Sequence, residues 1–564
     1  MTRISVTLVL LLCYILLPAS VEAQTADRVL TDAVVWTGDD DNPQAEAIAI
    51  RGNHILAVGT AEEVAEHIGE QTDVMELNGA MVTPGFIDNH THFNSAGALL
   101  LGINLLAVND EETLADEVTA ARDRLPDGAW ITGGDWGAYA QWAEDPEPLM
   151  EPDRSAIDDL TPDTPVFLSR FDGEQFLANA LALERAGLSC DDAGVDCEDG
   201  RMTGRLSPEA ASQVRDVVPD KTMEQRLKEA HLAMDRLVSH GVTTIHDNTP
   251  PEQLRAFQKL RASGDLRTRI YARPTLDRWS ALAETGISHG FGDDYLQIGG
   301  LKGFVDGILG NSTARFYEPY EHIESRGIWR DMMGHPDGMQ GLIEGASAAG
   351  HWPQIHAIGD QAIDTLLTMM ESAREVVEAS DQRWRVIHTQ HLRGPEVADR
   401  MAEMDLIAEM QPIHAIDDMR WMEERIGEER ARYTYAFRTL HEAGVMLSFG
   451  SDWPGTNASW YTSNPLEGIY AAVTRRTLEG YPEEGWIPEE RIDVETALRA
   501  YTVNNAYAGG QEYNRGTIAP GYLADLAVLS ENILEIDPMQ LPHVEIRYTL
   551  LGGTIVYDHE AGTR

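Results

Sequence analysis

The chain has 564 residues, 43% of them apolar, and a formal net charge of −50. That length exceeds a usual single domain and requires two or three domains, or one large barrel with additions. So acidic a balance argues against binding nucleic acid or anionic membranes by charge.

Residues 1–23 read as a secretory signal: Arg3 near the start, an apolar core from about Val6 to Leu17, then Val21-Glu22-Ala23 as a small-x-small cleavage site. The core is too short for a transmembrane helix, and no later segment is apolar for long enough. The mature protein is therefore expected to be soluble and exported, to a periplasm or the medium. Cys13 leaves with the signal, and Cys190 and Cys197 remain in a polar loop. Two close cysteines in an exported protein suggest a local disulfide. The alternative, a metal site, would need a second pair that the sequence lacks.

From 24 to 81 the pattern is short strands and turns: Ala33–Thr37, Ala47–Ile50 and His54–Val58, the last two joined by a hairpin-type turn at Gly52-Asn53. A matching unit at 511–564 contains Ala524–Leu529, Val544–Leu550 and Thr554–Tyr557. Two β-rich ends around a long middle imply one small β-sandwich built from both termini.

The middle, 82–510, alternates short apolar strands with amphipathic helices, the mark of a parallel α/β architecture. Strands are expected at Gly85–His92, Val242–His246, Arg269–Ala272, Gly300–Val305, Gln354–Ala357, Arg385–His388, Leu406–Met410 and Val445–Gly450. Helices are expected at Met223–Ser239, Gln253–Ala262, Gln361–Ala379, Pro395–Met404 and Tyr433–Glu442. Eight such strands fit a (β/α)8 barrel of the TIM type. The stretch from about 97 to 215, with its tryptophans, prolines and cysteine loop, does not fit a βα unit and reads as an insertion after strand one.

Chemistry in such a barrel gathers at the C-terminal ends of the strands. Strand one ends in His90-Thr91-His92, and alternation puts both imidazoles on one side, as a divalent metal requires. Strand two ends in His246-Asp247, strand four carries Lys302 and Asp306, strand five His356, and strand six His388 with His391. His414 lies just beyond strand seven, and strand eight ends in Ser451-Asp452. One strand-end histidine is commonly a satisfied core residue; so many ligand types on one rim are not.

This set resembles the amidohydrolase superfamily, and within it the amidohydrolase-3 branch, the YtcJ-like group that includes N-substituted formamide deformylases. The resemblance rests on Pro84–Phe93, Lys302–Gly307 with Ser312-Thr313-Ala314, and His356–Asp360. It continues through Arg385–Gln390, Gln411–His414, Gly450–Pro454 and the return strand Gly516–Leu526. It covers the chain from about residue 28 to the end. It implies one or two divalent ions, usually zinc, held by His90, His92, Lys302, His356, His388 and Asp452, with Lys302 carboxylated as a bridge. The residue chemistry agrees. Lys302 is one of only four lysines and sits in an apolar strand, where an ammonium is costly. Burial favours the neutral amine that takes up carbon dioxide. The alternative is an ion pair of Lys302 with Asp306.

A metal-bound hydroxide attacking an amide or N-acyl C–N bond in a small-molecule substrate is the expected reaction. Asp452 would accept the water's proton and pass it to the leaving amine, and His414 would stabilise the oxyanion. A purely structural His414 is the alternative. His246, Glu174, Trp136 and Asp306 are candidates for the substrate pocket, with Trp130 and Trp142 as further aromatic candidates. Two positions depart from the family pattern: Ile387 stands where many relatives carry glutamate, and Glu174 where many carry histidine. Ester or lactone hydrolysis on the same site, and a catalytically silent binding protein, are the competing functions. A homodimer is compatible with the sequence, which does not decide it.

Overall fold

Eight short parallel strands surround the polar interior of the molecule. They are β1 (Phe86–Thr91), β2 (Val242–Asn248), β3 (Arg269–Arg273), β4 (Leu301–Phe304), β5 (Pro353–Ala357), β6 (Arg385–His388), β7 (Ile407–Met410) and β8 (Met446–Phe449). The computed structural model describes residues 24–126, 128–137, 148–379, 381–455 and 462–563. The signal segment and Trp142 lie outside the described residues.

β1, β2, β3 and a short strand at Leu296–Ile298 form one parallel sheet, and β4 to β8 form a second. Isolated bridges span the two seams. Thr275 pairs with Lys302 on one side and Thr91 with Trp453 on the other. At the second seam the Asp452 N–H donates to the His90 carbonyl and the His92 N–H to the Trp453 carbonyl, both at 2.8 Å. The strand order is that of a TIM-type barrel, with the ladder reduced to single bridges at these seams.

The expected strands and the observed ones agree within a residue or two. Most expected helices are present too, among them Met223–Ser239, Pro251–Ser263, Asp360–Val376 and Pro395–Glu403. The helix expected from Tyr433 begins only at Phe437. Thr434 is taken by a bridge to His391, and Tyr435 has a left-handed φ of 51°, which a helix does not tolerate.

Alternation along the strands separates two environments. Ile245, Ile270, Ile355, Val386, Ala408 and Leu447 face the surrounding helices and join one large apolar core with Leu237, Phe257, Leu366, Met401 and Leu440. The opposite faces carry His246, Arg273, Lys302, Gln354, His356, Arg385 and Glu409, all buried. Chemistry is therefore concentrated inside the ring of strands.

The chain ends form two further sheets. One has four strands drawn from 28–76. The other has seven and joins Val34–Trp36, Gln44–Ala45 and Met81–Pro84 to four strands after Leu526. Leu30, Val35, Ile48, Ile50 and Val82 share a single apolar cluster with Leu526, Val528 and Leu550. Five strands, the first at Ile131–Trp136 and the last at Arg201–Leu206, make a separate sheet. Its own core contains Leu114, Val118, Trp136, Val166 and Leu168. Cys190 and Cys197 form a disulfide there. Among the described residues no helix is long and apolar enough to cross a membrane.

Candidate metal centre

The donors meet where β1 ends. His90 is fully buried, and its Nδ1 lies 2.7 Å from Glu409 Oε1. Glu409 stays anionic. Burial pushes its carboxyl up, but the Arg273 guanidinium, the bond to His90 and the Arg385 guanidinium outweigh burial and hold it well below the usual carboxylate range. The Nδ1 of His90 therefore carries the proton, and its Nε2 keeps a lone pair toward the centre.

That Nε2 stands 3.3 Å from Asp452 Oδ1 and 3.3 Å from Lys302 Nζ. His92 Nε2 lies 3.1 Å from the same Asp452 oxygen. His388 repeats the tautomer logic, with Nδ1 2.7 Å from Gln411 Oε1. His356 inverts it: Nε2 is 2.9 Å from the Gly307 carbonyl, so its Nδ1 keeps the lone pair. The His356 and His388 rings lie 4.6 Å apart, and those of His90 and His388 5.1 Å. His414 Nε2 approaches Asp452 Oδ2 at 3.7 Å. Asp452 thereby links two donor groups, His90–His92–Asp452 and His388–His414–Asp452, each with its ligand atoms within 4.8 Å of one another.

Burial holds the His90 and His388 imidazoles well below their ordinary range, and it pushes the Lys302 ammonium down to about 7, with Arg273 adding to the effect. Neutral imidazoles, an unprotonated amine and a carboxylate are what a divalent cation requires of its donors. The donor set fits such an ion. His92, with 38% of its side chain exposed, marks the open side of the donor cluster.

Two of these residues sit on strained backbone. His388 has φ 72° and Asp452 φ 57°. Strict alternation would put His388 on the helix-facing side with Val386; the left-handed turn brings it back among the donors.

Several candidates for the pocket are elsewhere. His246 is fully buried inside the ring, its Nδ1 2.9 Å from Arg385 Nη1 and its ring 4.3 Å from Tyr271, so it cannot touch a substrate. Trp136 is buried in the insertion's core and donates to the Met150 carbonyl; Trp130 is buried there too. Asp306 accepts backbone N–H groups from Arg315, Ile358 and Gly359 at 2.8–3.1 Å, which makes it a loop anchor; its Oδ1 also lies 3.4 Å from His356 Nε2, behind that donor. Glu174 lies exposed on a turn of the insertion, and among the described residues no contact joins it to the donors. Ile387 pairs in register with Glu409 of β7.

The sequence reading missed Glu409, Arg273, Arg385, Gln411 and Asn248. A charged residue within an apolar strand is itself a signal, and it was applied to Lys302 alone. Asn248 is two residues past His246 on the same face of β2.

A model of the amidohydrolase family, Amidohydro_3, matches residues 73–557. The chain belongs to the amidohydrolase family. Curated relatives extend over nearly the whole of this family member. It is 33% identical to "Protein LONG AFTER FAR-RED 3" of Arabidopsis thaliana, over 90% of this chain and 88% of that one. It is 30% identical to "Putative amidohydrolase YtcJ" of Bacillus subtilis, over 93% and 98%. It is 25% identical to "N-substituted formamide deformylase" of Arthrobacter pascens, over 95% and 99%. An uncharacterized metal-dependent hydrolase from Pyrococcus furiosus superposes with a TM-score of 0.73 at 25% identity, covering 90% of this chain and all of that one. This amidohydrolase is accordingly a metal-dependent hydrolase, and its family implies a divalent metal.

Proposed function

We propose that this amidohydrolase cleaves a C–N bond of an amide or N-acyl group in a small molecule. The observation that carries the reading is the donor geometry. Donors held about 2.0–2.1 Å from one centre stand roughly 2.9 Å apart at right angles and about 3.4 Å apart at the tetrahedral angle. The His90–Asp452, His92–Asp452 and His90–Lys302 separations are 3.3, 3.1 and 3.3 Å.

His90, His92, Lys302, His356, His388 and Asp452 would hold one or two ions, zinc by preference for imidazole and carboxylate. When bound, the cation supplies an acidified water and a Lewis acid for a carbonyl. Glu409, Gln411 and the Gly307 carbonyl keep the imidazoles in the tautomers that bind. Asp452, at the junction of the two donor groups, accepts the water's proton and returns it to the leaving amine. His414, which burial keeps below the ordinary imidazole range, faces Asp452 as a neutral hydrogen-bond donor to the developing oxyanion. A carboxylated Lys302 adds a carbon and two oxygens beyond Nζ, and so requires the side chain to draw back from His90.

The deformylase relative favours a C–N substrate over an ester or lactone, which the same cation chemistry would also open. The two terminal sheets are read as one sandwich because they share a core, and export as the fate of residues 1–23. Metal analysis of the purified protein, followed by a screen of amides, N-acyl amines, esters and lactones, tests the reading. We expect at least one divalent ion per chain and turnover confined to C–N bonds. Less than one ion would sink the hydrolase; ester turnover alone would shift the substrate class.

A further inference from the structure

β2 ends on Asn248, level with the open side of the His90–His92 pair. Its Nδ2 lies 2.9 Å from His90 Nε2 and 3.2 Å from His92 Nε2. Among the described residues its Oδ1 is buried without a hydrogen-bond partner. The two ends of an amide are nearly the same size, and the surrounding hydrogen bonds decide which one faces a neighbour. Facing imidazole lone pairs, the N–H end turns inward.

A cation changes that choice. With its Nδ1–H committed to Glu409, His90 has one lone pair, on Nε2. The lone pair that accepts from Asn248 is the same one that ligates a metal, so the two interactions exclude each other. Once the cation takes it, an inward N–H has no acceptor and points its positive end at a positive ion. Rotation about the Cβ–Cγ bond removes that conflict and gives the orphaned oxygen a partner. The distances agree: 2.9 and 3.2 Å fall within the spacing of donors around one ion, alongside the separations set by Asp452 and Lys302.

We propose that Asn248 is a metal-site residue, whose side-chain amide rotates to offer Oδ1 to the cation held by His90 and His92. The proposal rests on the metal-dependent reading above and adds an oxygen donor from β2 that the expected ligand set lacks.

The test uses the full-length protein, stripped by chelator and reloaded with zinc or cobalt(II). Cation affinity is read by chelator competition and coordination by the visible absorption of the cobalt form, which weakens as donors are added. Asn248→Leu should bind zinc about 10- to 100-fold more weakly and absorb more strongly as the cobalt form. Asn248→Asp keeps an oxygen and loses the N–H groups; it should bind at least as tightly as the parent. Parental affinity and spectrum in Asn248→Leu would overturn the proposal. Should that variant fail to fold, Asn248→Asp decides alone, because a residue needed for its N–H groups would lose the cation on this change. A parent chain that takes up no cation takes both readings down; a loaded parent with an indifferent Asn248→Leu takes down only this one.

Discussion

Glu409 holds His90 from beneath: its Oε1 takes the Nδ1–H at 2.7 Å, with both side chains wholly out of solvent. The same oxygen accepts from Arg273 Nη1 at 2.8 Å, and Oε2 from Arg385 Nη1 at 2.9 Å. One carboxylate thus fixes the tautomer of a metal-site histidine and neutralises part of two buried guanidiniums. Glu409→Gln would leave those cations undercompensated. We expect a loss on the order of 3–5 kcal/mol in stability and about 10- to 100-fold in cation affinity. Urea unfolding and chelator competition read the two effects; parental cation affinity in a folded variant would remove Glu409 from the site.

Lys302 is the second test. Its Nζ is 3.3 Å from His90 Nε2 in a buried setting that pushes its ammonium down to about 7, so that a large share of the side chain is the free amine at neutral pH. Lys302→Ala should lower both metal content and turnover. Lys302→Arg, which puts a permanent cation in this place and cannot be carboxylated, should do the same. A carbamate further predicts that stripped protein reloads poorly in carbon dioxide-free buffer and recovers on adding bicarbonate. Indifference to bicarbonate would leave Lys302 as a simple amine donor.

Stability should fall between mildly acidic and alkaline pH through Asp418. Its Oδ2 accepts from Gln390 Nε2 at 2.7 Å and from the Tyr435 hydroxyl at 2.5 Å, and burial pushes the carboxyl up to about 8. Below about pH 4 both folded and unfolded chains hold this proton. As pH rises toward 8 only the folded chain keeps it, so this contribution is lost across that window. Asp418→Asn removes the dependence. Relative to the parent, the variant should gain about 5 kcal/mol between pH 4 and pH 9. An offset that stays constant across urea midpoints from pH 4 to 9 would contradict the assignment.

The insertion gives a negative control. The Cys190–Cys197 disulfide closes a loop with a sequence separation of 7, in a sheet whose core is separate from that of the barrel. Replacing both cysteines by serine should cost about 2 kcal/mol of stability. Metal content should not change. A parallel loss of metal would mean that the insertion supports the site more directly.

Much of this architecture was legible in the chain. Short apolar runs fix the strands, because each must be buried on the side facing the helices. Alternation fixes that His90 and His92 share a side. Alternation does not hold at His388, where a left-handed residue breaks it, and the helix expected from Tyr433 does not form over 433–436, where a bridge joins Thr434 to His391.

Residue type and alternation say which side of a strand a group faces; they do not say how deep it lies. His246 and Asn248 share one face of β2 and differ by two residues, about 7 Å along a strand. The sequence singled out the histidine for its chemistry. Register between strands placed that histidine among arginines inside the ring and set the asparagine against both imidazoles. The sequence by itself determined the donors and the strands that carry them. Only the tertiary structure decided which donors are level with one another, because inter-strand register arises from pairing between segments tens to hundreds of residues apart.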